Sequence, residues 1–205
     1  MSWNTRICMV PALVLAALAA CGTTRRFVEQ PPLTVDDAAE DGRRAAAELF
    51  DLPPPYVVRI CEADAASKAC VNAGEGIKAT GVGGLILPLT LHVTALTVSR
   101  QAPAADGWDI DADFRSEVDA VAPMCRTAHG RIVRRDNNTL ALRFDRFYCN
   151  WLVVGNVLVF ADLSIDSIRP RDKVFTGYYR MSFHGIGNAL GSGYFRAEIV
   201  RPGPA

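Results

Sequence analysis

Between residues 56 and 200 apolar side chains recur at every second position, broken by short clusters of glycine, proline, asparagine and aspartate. Period two places alternate side chains on opposite faces of a pleated strand, whereas a helix repeats near 3.6, so this stretch can bury its apolar half only as β-sheet. Eight strand-like runs follow, at residues 56–61, 85–99, 108–118, 130–135, 139–148, 153–166, 173–184 and 194–200. Short connections between them predict a mainly β fold, an antiparallel barrel or a two-sheet sandwich, and both remain open at this point. An eight-stranded barrel has room inside for packed side chains or one small ligand. The inward register holds leucines, phenylalanines, Met181 and Tyr179, which predicts a filled core.

Several runs carry finer detail. Residues 85–99 place Leu85, Leu87, Leu89, Leu91, Val93 and Ala95 on one face and Thr90, His92 and Thr94 on the other. Pro88, His92 and the threonines speak against a membrane span, so the run reads as one long, bent strand through the core. In 108–118, Trp108, Ile110 and Phe114 oppose Asp109, Asp111 and Asp113. This begins like a calcium loop, but Phe114 stands where the tight turn needs glycine and Ala120 where a bidentate acid belongs, so a solvated strand face is expected. Leu140, Leu142 and Phe144 share a face, and then Phe147, Cys149 and Trp151 shift phase by one, which predicts a bulge. Phe195, Ala197 and Ile199 point inward in the last run.

Ahead of the strands, Thr34-Val35-Asp36-Asp37 has the form of a helix start, and alanines carry one short helix to about residue 50 despite Gly42. Pro53-Pro54-Pro55 stops it, and the helix is expected to cover a sheet edge or barrel mouth. The glycine-rich stretches at 74–84 and 185–193 read as loops.

The first 21 residues have a separate logic. Residues 1–6 carry one positive charge, residues 7–18 are an apolar run broken only by Pro11, and Leu18-Ala19-Ala20-Cys21 follows. The run is shorter than the roughly 20 residues that a spanning helix needs. The sequence resembles bacterial lipoprotein precursors. That resemblance implies cleavage before Cys21, acylation of Cys21 and a stable membrane anchor through its acyl chains. Gly22 rather than aspartate after the cysteine favours an outer-membrane lipoprotein facing the periplasm; an ordinary signal peptide would instead release a soluble periplasmic protein. The organisation is then a signal peptide at 1–20, a flexible tether at 21–33 and a single domain at 34–205. Cleavage removes Arg6 alone among the charged residues, leaving 21 Lys plus Arg against 22 Asp plus Glu. That balance gives no support for nucleic-acid binding.

Six cysteines are encoded. Cys8 would leave with the signal and Cys21 would carry lipid, so Cys61, Cys70, Cys125 and Cys149 remain, which in an exported chain implies two disulfides. Three connectivities are possible, and spacing favours Cys61–Cys70 with Cys125–Cys149. The latter two each lie twelve residues from Asn137, the centre of a hairpin turn at Asp136-Asn137-Asn138. A four-cysteine zinc site would need close paired spacings that are absent.

No motif names a reaction, and none implies a cofactor or metal. His92, His129 and His184 sit outside metalloprotease and nucleophile-elbow patterns. Gly185-x-Gly187 and Gly191-Ser192-Gly193 lack a following helix and a P-loop lysine. Lipocalin-like binders carry Gly-x-Trp in the first strand, but here Gly107 and Trp108 are adjacent and in the third run. The Ser-Gly-x-x-Tyr loop of lipoprotein lysozyme inhibitors is not matched by Ser192-Gly193-Tyr194. The leading expectation is a non-enzymatic envelope lipoprotein that binds an envelope protein or glycan or has a structural role. A carrier or inhibitor that takes a small apolar ligand inside the barrel is the alternative, and a hydrolase is third. The candidate binding surface is Tyr178, Arg180, His184 and Tyr194 with the 185–194 loop, because tyrosine and arginine favour interfaces.

Overall fold

A computed structural model describes residues 34–35, 42–72, 74–82, 88–116, 123–134, 140–151, 155–184 and 189–201. In chain order the elements are β1 (Thr34–Val35), α1 (Gly42–Phe50), β2 (Tyr56–Ala63), β3 (Ile77–Val82), β4 (Pro88–Val93), β5 (Ala95–Ala104) and β6 (Gly107–Arg115). They continue with β7 (Met124–Cys125), β8 (Ala128–Arg134), β9 (Leu140–Trp151), β10 (Gly155–Arg169), β11 (Val174–His184) and β12 (Ala189–Val200).

Eight strands close into an antiparallel barrel in the order β10-β11-β12-β2-β5-β6-β8-β9, with β9 pairing back onto β10. Closure decides between the two expected architectures. Most neighbours around the ring are hairpin partners, but β2 and β12 join the two ends of the domain, from Val57 opposite Val200 to Ala63 opposite Tyr194. Apolar side chains fill the inside and charged ones stand outside, the inverse of a membrane-spanning barrel, whose lipid-facing band is apolar. Among the described residues no helix is long and apolar enough to cross a membrane.

The core is aromatic at three levels. Phe50 of α1 meets Phe175 edge-on at 5.3 Å, and Phe175 meets Phe195 at 5.9 Å. Phe114 stacks on Phe147 at 4.2 Å and packs against Phe144 at 4.9 Å. Trp151 lies 5.3 Å from Phe183. Such pairs add about 0.5–1.5 kcal/mol to the area they bury. Gly130 makes room for one of them, since a Cβ there would fall 2.5 Å from the Phe144 ring.

The bulge on β9 is where the phase shift places it. Phe144 faces Ala161 and Phe147 faces Val159, so Asp145 and Arg146 both oppose Phe160. A second irregularity separates Ile165 from Ser167 on β10, opposite Gly177 of β11. A Cβ on Gly177 would lie 1.9 Å from the Ser164 carbonyl oxygen.

Four expectations are corrected. Thr34 does not start a helix: Thr34–Val35 is extended and pairs in parallel with Ser167 and Ile168, a tertiary pairing that outweighs the local capping signal, and α1 begins at Gly42. The helix does sit at a barrel mouth, where Phe50 packs and where Lys173 Nζ donates to the Glu48 carbonyl at 3.0 Å. The glycine-rich stretch after Gly76 contains β3, which pairs with β4 and touches β12 at Thr80–Leu190.

The 85–99 run is two strands broken at Thr94 rather than one. Its N–H and hydroxyl both donate to the Arg115 carbonyl, at 2.9 and 3.2 Å, while its own carbonyl accepts from Ile60 N–H. Burial slips phase there, from Leu89, Leu91 and Val93 to Leu96 and Val98, and residues 85–87 lie outside the described residues. Finally, Gly191 and Gly193 belong to β12 and not to a loop. Small residues are needed there, because a Cβ on Gly191 would meet the Lys78 carbonyl oxygen at 1.8 Å.

Candidate functional site

β11 and β12 pair in register with Tyr178 opposite Tyr194, Arg180 opposite Ser192 and Ser182 opposite Leu190. Phe175, Tyr179, Met181 and Phe183 of β11 and Phe195 of β12 are buried, so the alternate set stands on the outer face. Tyr178 and Tyr194 meet edge to face with ring centroids 5.6 Å apart. The pair is a ready-made aromatic patch, because the sheet holds both backbones.

A third side chain joins this patch from elsewhere in the chain. Lys68 Nζ lies 4.3 Å from the centroid of the Tyr194 ring and 3.2 Å from Asp166 Oδ2, and Thr176 Oγ1 donates to Asp166 Oδ1 at 3.0 Å. Lys68 sits on the loop closed by the Cys61–Cys70 disulfide, whose Cα atoms are 5.7 Å apart. Within that loop Asp64 accepts from the Ser67 and Ala66 amides and from the Ser67 hydroxyl, and these bonds, Ser67 N–H foremost, hold its carboxyl below the usual range. The disulfide and the aspartate turn therefore pin the loop and carry Lys68 onto the tyrosine. Beneath the patch Tyr179 points inward, and burial, followed by the nearby Glu62 charge, pushes its phenol up to about 12.

The expected surface is thus only partly assembled. Tyr178, Arg180 and Tyr194 share one neighbourhood. His184 is six residues along β11 from Tyr178, roughly 20 Å away, and packs instead against the Phe160 ring at 5.4 Å. Residues 185–188 of the expected loop lie outside the described residues. Lys68, Asp166 and Thr176 were not foreseen: they join the site only through register and through a loop folded back across the sheet.

A second polar cluster lies on the opposite flank. Asp109 accepts from Arg131 Nε at 2.7 Å, Asp111 accepts from Arg100 Nη2 at 3.2 Å and also meets Arg100 Nε and His129 Nδ1, and Asp113 accepts from the Thr127 hydroxyl at 2.7 Å. The three carboxylates of the solvated face are all tied to partners elsewhere in the chain, two of them across strands. Hydrogen bonding to Arg100, more than to His129, holds the Asp111 carboxyl below its ordinary range. Arg100, Asp109, Asp111, His129 and Arg131 border an open depression of about 450 Å³, completed by Asp145 and Arg146. His129 and Asp111 form a pair there, but among the described residues no serine, threonine or cysteine lines the depression, and the His129 side chain is 81% exposed. Such a pair lacks both a nucleophile to activate and the desolvation that strengthens general-base chemistry.

The remaining sequence candidates are placed as follows. Cys125 and Cys149 are bonded and directly opposite each other across β7 and β9, with Cα atoms 3.9 Å apart. Their symmetric spacing about residue 137 survives the β9 bulge. His92 lies on β4 opposite Lys78, far in sequence and strand order from His129 on β8. Cys21 lies outside the described residues. Among the described residues no group of three His, Cys, Asp or Glu is placed to hold a metal ion. No protein-family model and no curated protein matches this chain.

Proposed function

We propose that this chain is a lipid-anchored, non-enzymatic binding module of a bacterial envelope, attached through Cys21 to the outer membrane and facing the periplasm. It engages an envelope protein or glycan through the outer face of β11 and β12. The observation that carries this reading is the Tyr178–Tyr194 pair, set beside Arg180 and Lys68 on the outside of a barrel whose inside is packed with aromatic side chains. Rigid tyrosines with a nearby cation lose little conformational freedom on binding and are favoured contact residues. The packed interior directs binding to the outer face and away from an enclosed apolar ligand. Leu18-Ala19-Ala20-Cys21 supports the anchor, and the two disulfides support an oxidising compartment.

Capture experiments with the lipidated protein from detergent-solubilised envelopes test the reading. A reproducible protein or glycan partner is expected, and Tyr178→Ala should weaken its retention. No reproducible partner, or capture indifferent to Tyr178→Ala, removes the proposed surface. Cys21→Ala with unchanged acyl labelling of the chain removes the anchor.

A further inference from the structure

A smaller depression, of about 220 Å³, lies on the seam between β2 and β12, next to the tyrosine pair. Arg59, Cys61, Cys70, Gly74, Arg196 and Glu198 border it. Register explains the grouping, since Arg196 opposes Cys61 and Glu198 opposes Arg59 across the two strands. Val58, Ile60, Ala197 and Ile199 are buried, so the alternate side chains face out of the barrel. The Cys61–Cys70 disulfide then folds the chain back and supplies the wall at Cys70 and Gly74.

The charges here are handled unlike those of the β5–β6–β8 flank. There, Arg100 and Arg131 donate to Asp111 and Asp109. Here, among the described residues, the side chains of Arg59, Arg196 and Glu198 make no hydrogen bond or ion pair. Arg59 and Arg196 belong to adjacent pairs of the ladder, a diagonal that puts their Cβ atoms roughly 7–8 Å apart. Two long side chains at that spacing can converge on one small group. Arg196 is also half-buried. A guanidinium that has given up part of its water without gaining a partner carries a cost that a bound anion would relieve.

We propose that this depression binds the carboxylate of an acidic saccharide. Arg196 and Arg59 donate to the carboxylate, and Glu198 accepts from a neighbouring sugar hydroxyl. Two guanidiniums and one carboxylate leave a single positive charge in excess, which suits a monoanion, and the planar guanidinium fork matches carboxylate geometry. Glu198 is the reason to prefer a saccharide over an acidic protein segment: it repels a run of carboxylates but gains from hydroxyl donors. Tyr194 stands two residues from Arg196 on the same outer face of β12, roughly 6.6–6.8 Å away, so a glycan seated here continues onto the tyrosine pair. The inference rests on the reading of that flank as the binding face and names the class of its ligand.

Calorimetric titration of the detergent-solubilised full chain with a galacturonate oligomer at low salt tests the proposal. The methyl ester of the same oligomer serves as the neutral counterpart, and hexaglutamate as an acidic peptide. The wild type should bind the free acid saturably, more weakly as salt is added, and should bind neither the ester nor hexaglutamate comparably. Arg196→Gln should weaken binding at least about tenfold with an unchanged melting curve, and the fully exposed Arg59→Gln by a smaller factor. Arg131→Gln, on the other flank, should leave it unaltered. Failure of the wild type to bind overturns the proposal, as does equal binding of the ester, equal binding of hexaglutamate, or indifference to both arginine variants. If these titrations fail while capture of an envelope partner still depends on Tyr178, the ligand class falls and the binding face stands.

Discussion

The β5–β6–β8 flank and the β11–β12 flank of the barrel are both polar, yet they use their polar groups in opposite ways. On the first, Asp109 and Asp111 are answered by cations on neighbouring strands and Asp113 by the Thr127 hydroxyl just before β8. On the second, two tyrosines sit side by side with one cation drawn over the ring of Tyr194. Exposed ion pairs contribute about 0–1 kcal/mol each and leave little charge over for a ligand. Aromatic surface held outward by a sheet gains from being covered. A flank that satisfies itself leaves little for a ligand, whereas a flank with half-buried rings has aromatic surface to offer a partner.

The largest expected effects lie directly beneath the two flanks, where one glycine supports each. Gly177→Ala would drive a Cβ into the Ser164 backbone under the tyrosine flank and should cost about 3 kcal/mol in urea unfolding. Gly130→Ala meets the Phe144 ring as well as the Arg143 carbonyl, and because a ring yields more readily than backbone it should cost about 2 kcal/mol. The reverse order would mean that the charged flank rests on the stiffer scaffold.

Next in size is the effect on binding. Tyr178→Ala with Tyr194→Ala should weaken capture of the envelope partner by at least about tenfold, the scale of interface anchors, while Arg131→Ala leaves it unchanged. Equal losses on both flanks would erase the distinction. The smallest effect is expected at Asp111. Its carboxyl ionises more readily in the folded chain than in the unfolded one, so its contribution is present above the ordinary carboxylate value near 4 and is lost as pH falls through the lower folded value. Thermal melts of wild type and Asp111→Asn should therefore differ by under about 1 kcal/mol at pH 7 and converge in acid once the folded carboxyl is protonated.

What could be read in advance was whatever period and symmetry write into the chain. The slip from Phe144 to Phe147 revealed the bulge, because one extra residue exchanges the faces and burial records the exchange. Cys125 and Cys149 were paired by equal distance from Asn137, since antiparallel register is a sum of residue numbers. Other elements escaped because the deciding partner was distant. Thr34 carries a sound helix signal and is claimed by Ser167, more than a hundred residues away. β3 is short and interrupted by Gly81, and becomes a strand because β4 and the start of β12 present matching edges. The slip at Thr94 was hidden inside a run so apolar that either face could be inward. Lys68 reached the tyrosines through a disulfide loop, and no spacing rule connects residue 68 to residue 194.

The pairing of β2 with β12 has one more consequence. Every other seam of the barrel joins strands near in sequence or already linked, but this one needs residues 57–63 to meet 194–200. The ring is therefore unable to shut until the final strand has been delivered. A growing chain keeps both margins open to proteases until that moment, and a product truncated before Tyr194 never loses them. The last seven residues of β12 act as a test of completeness: only a full-length copy becomes a sealed one.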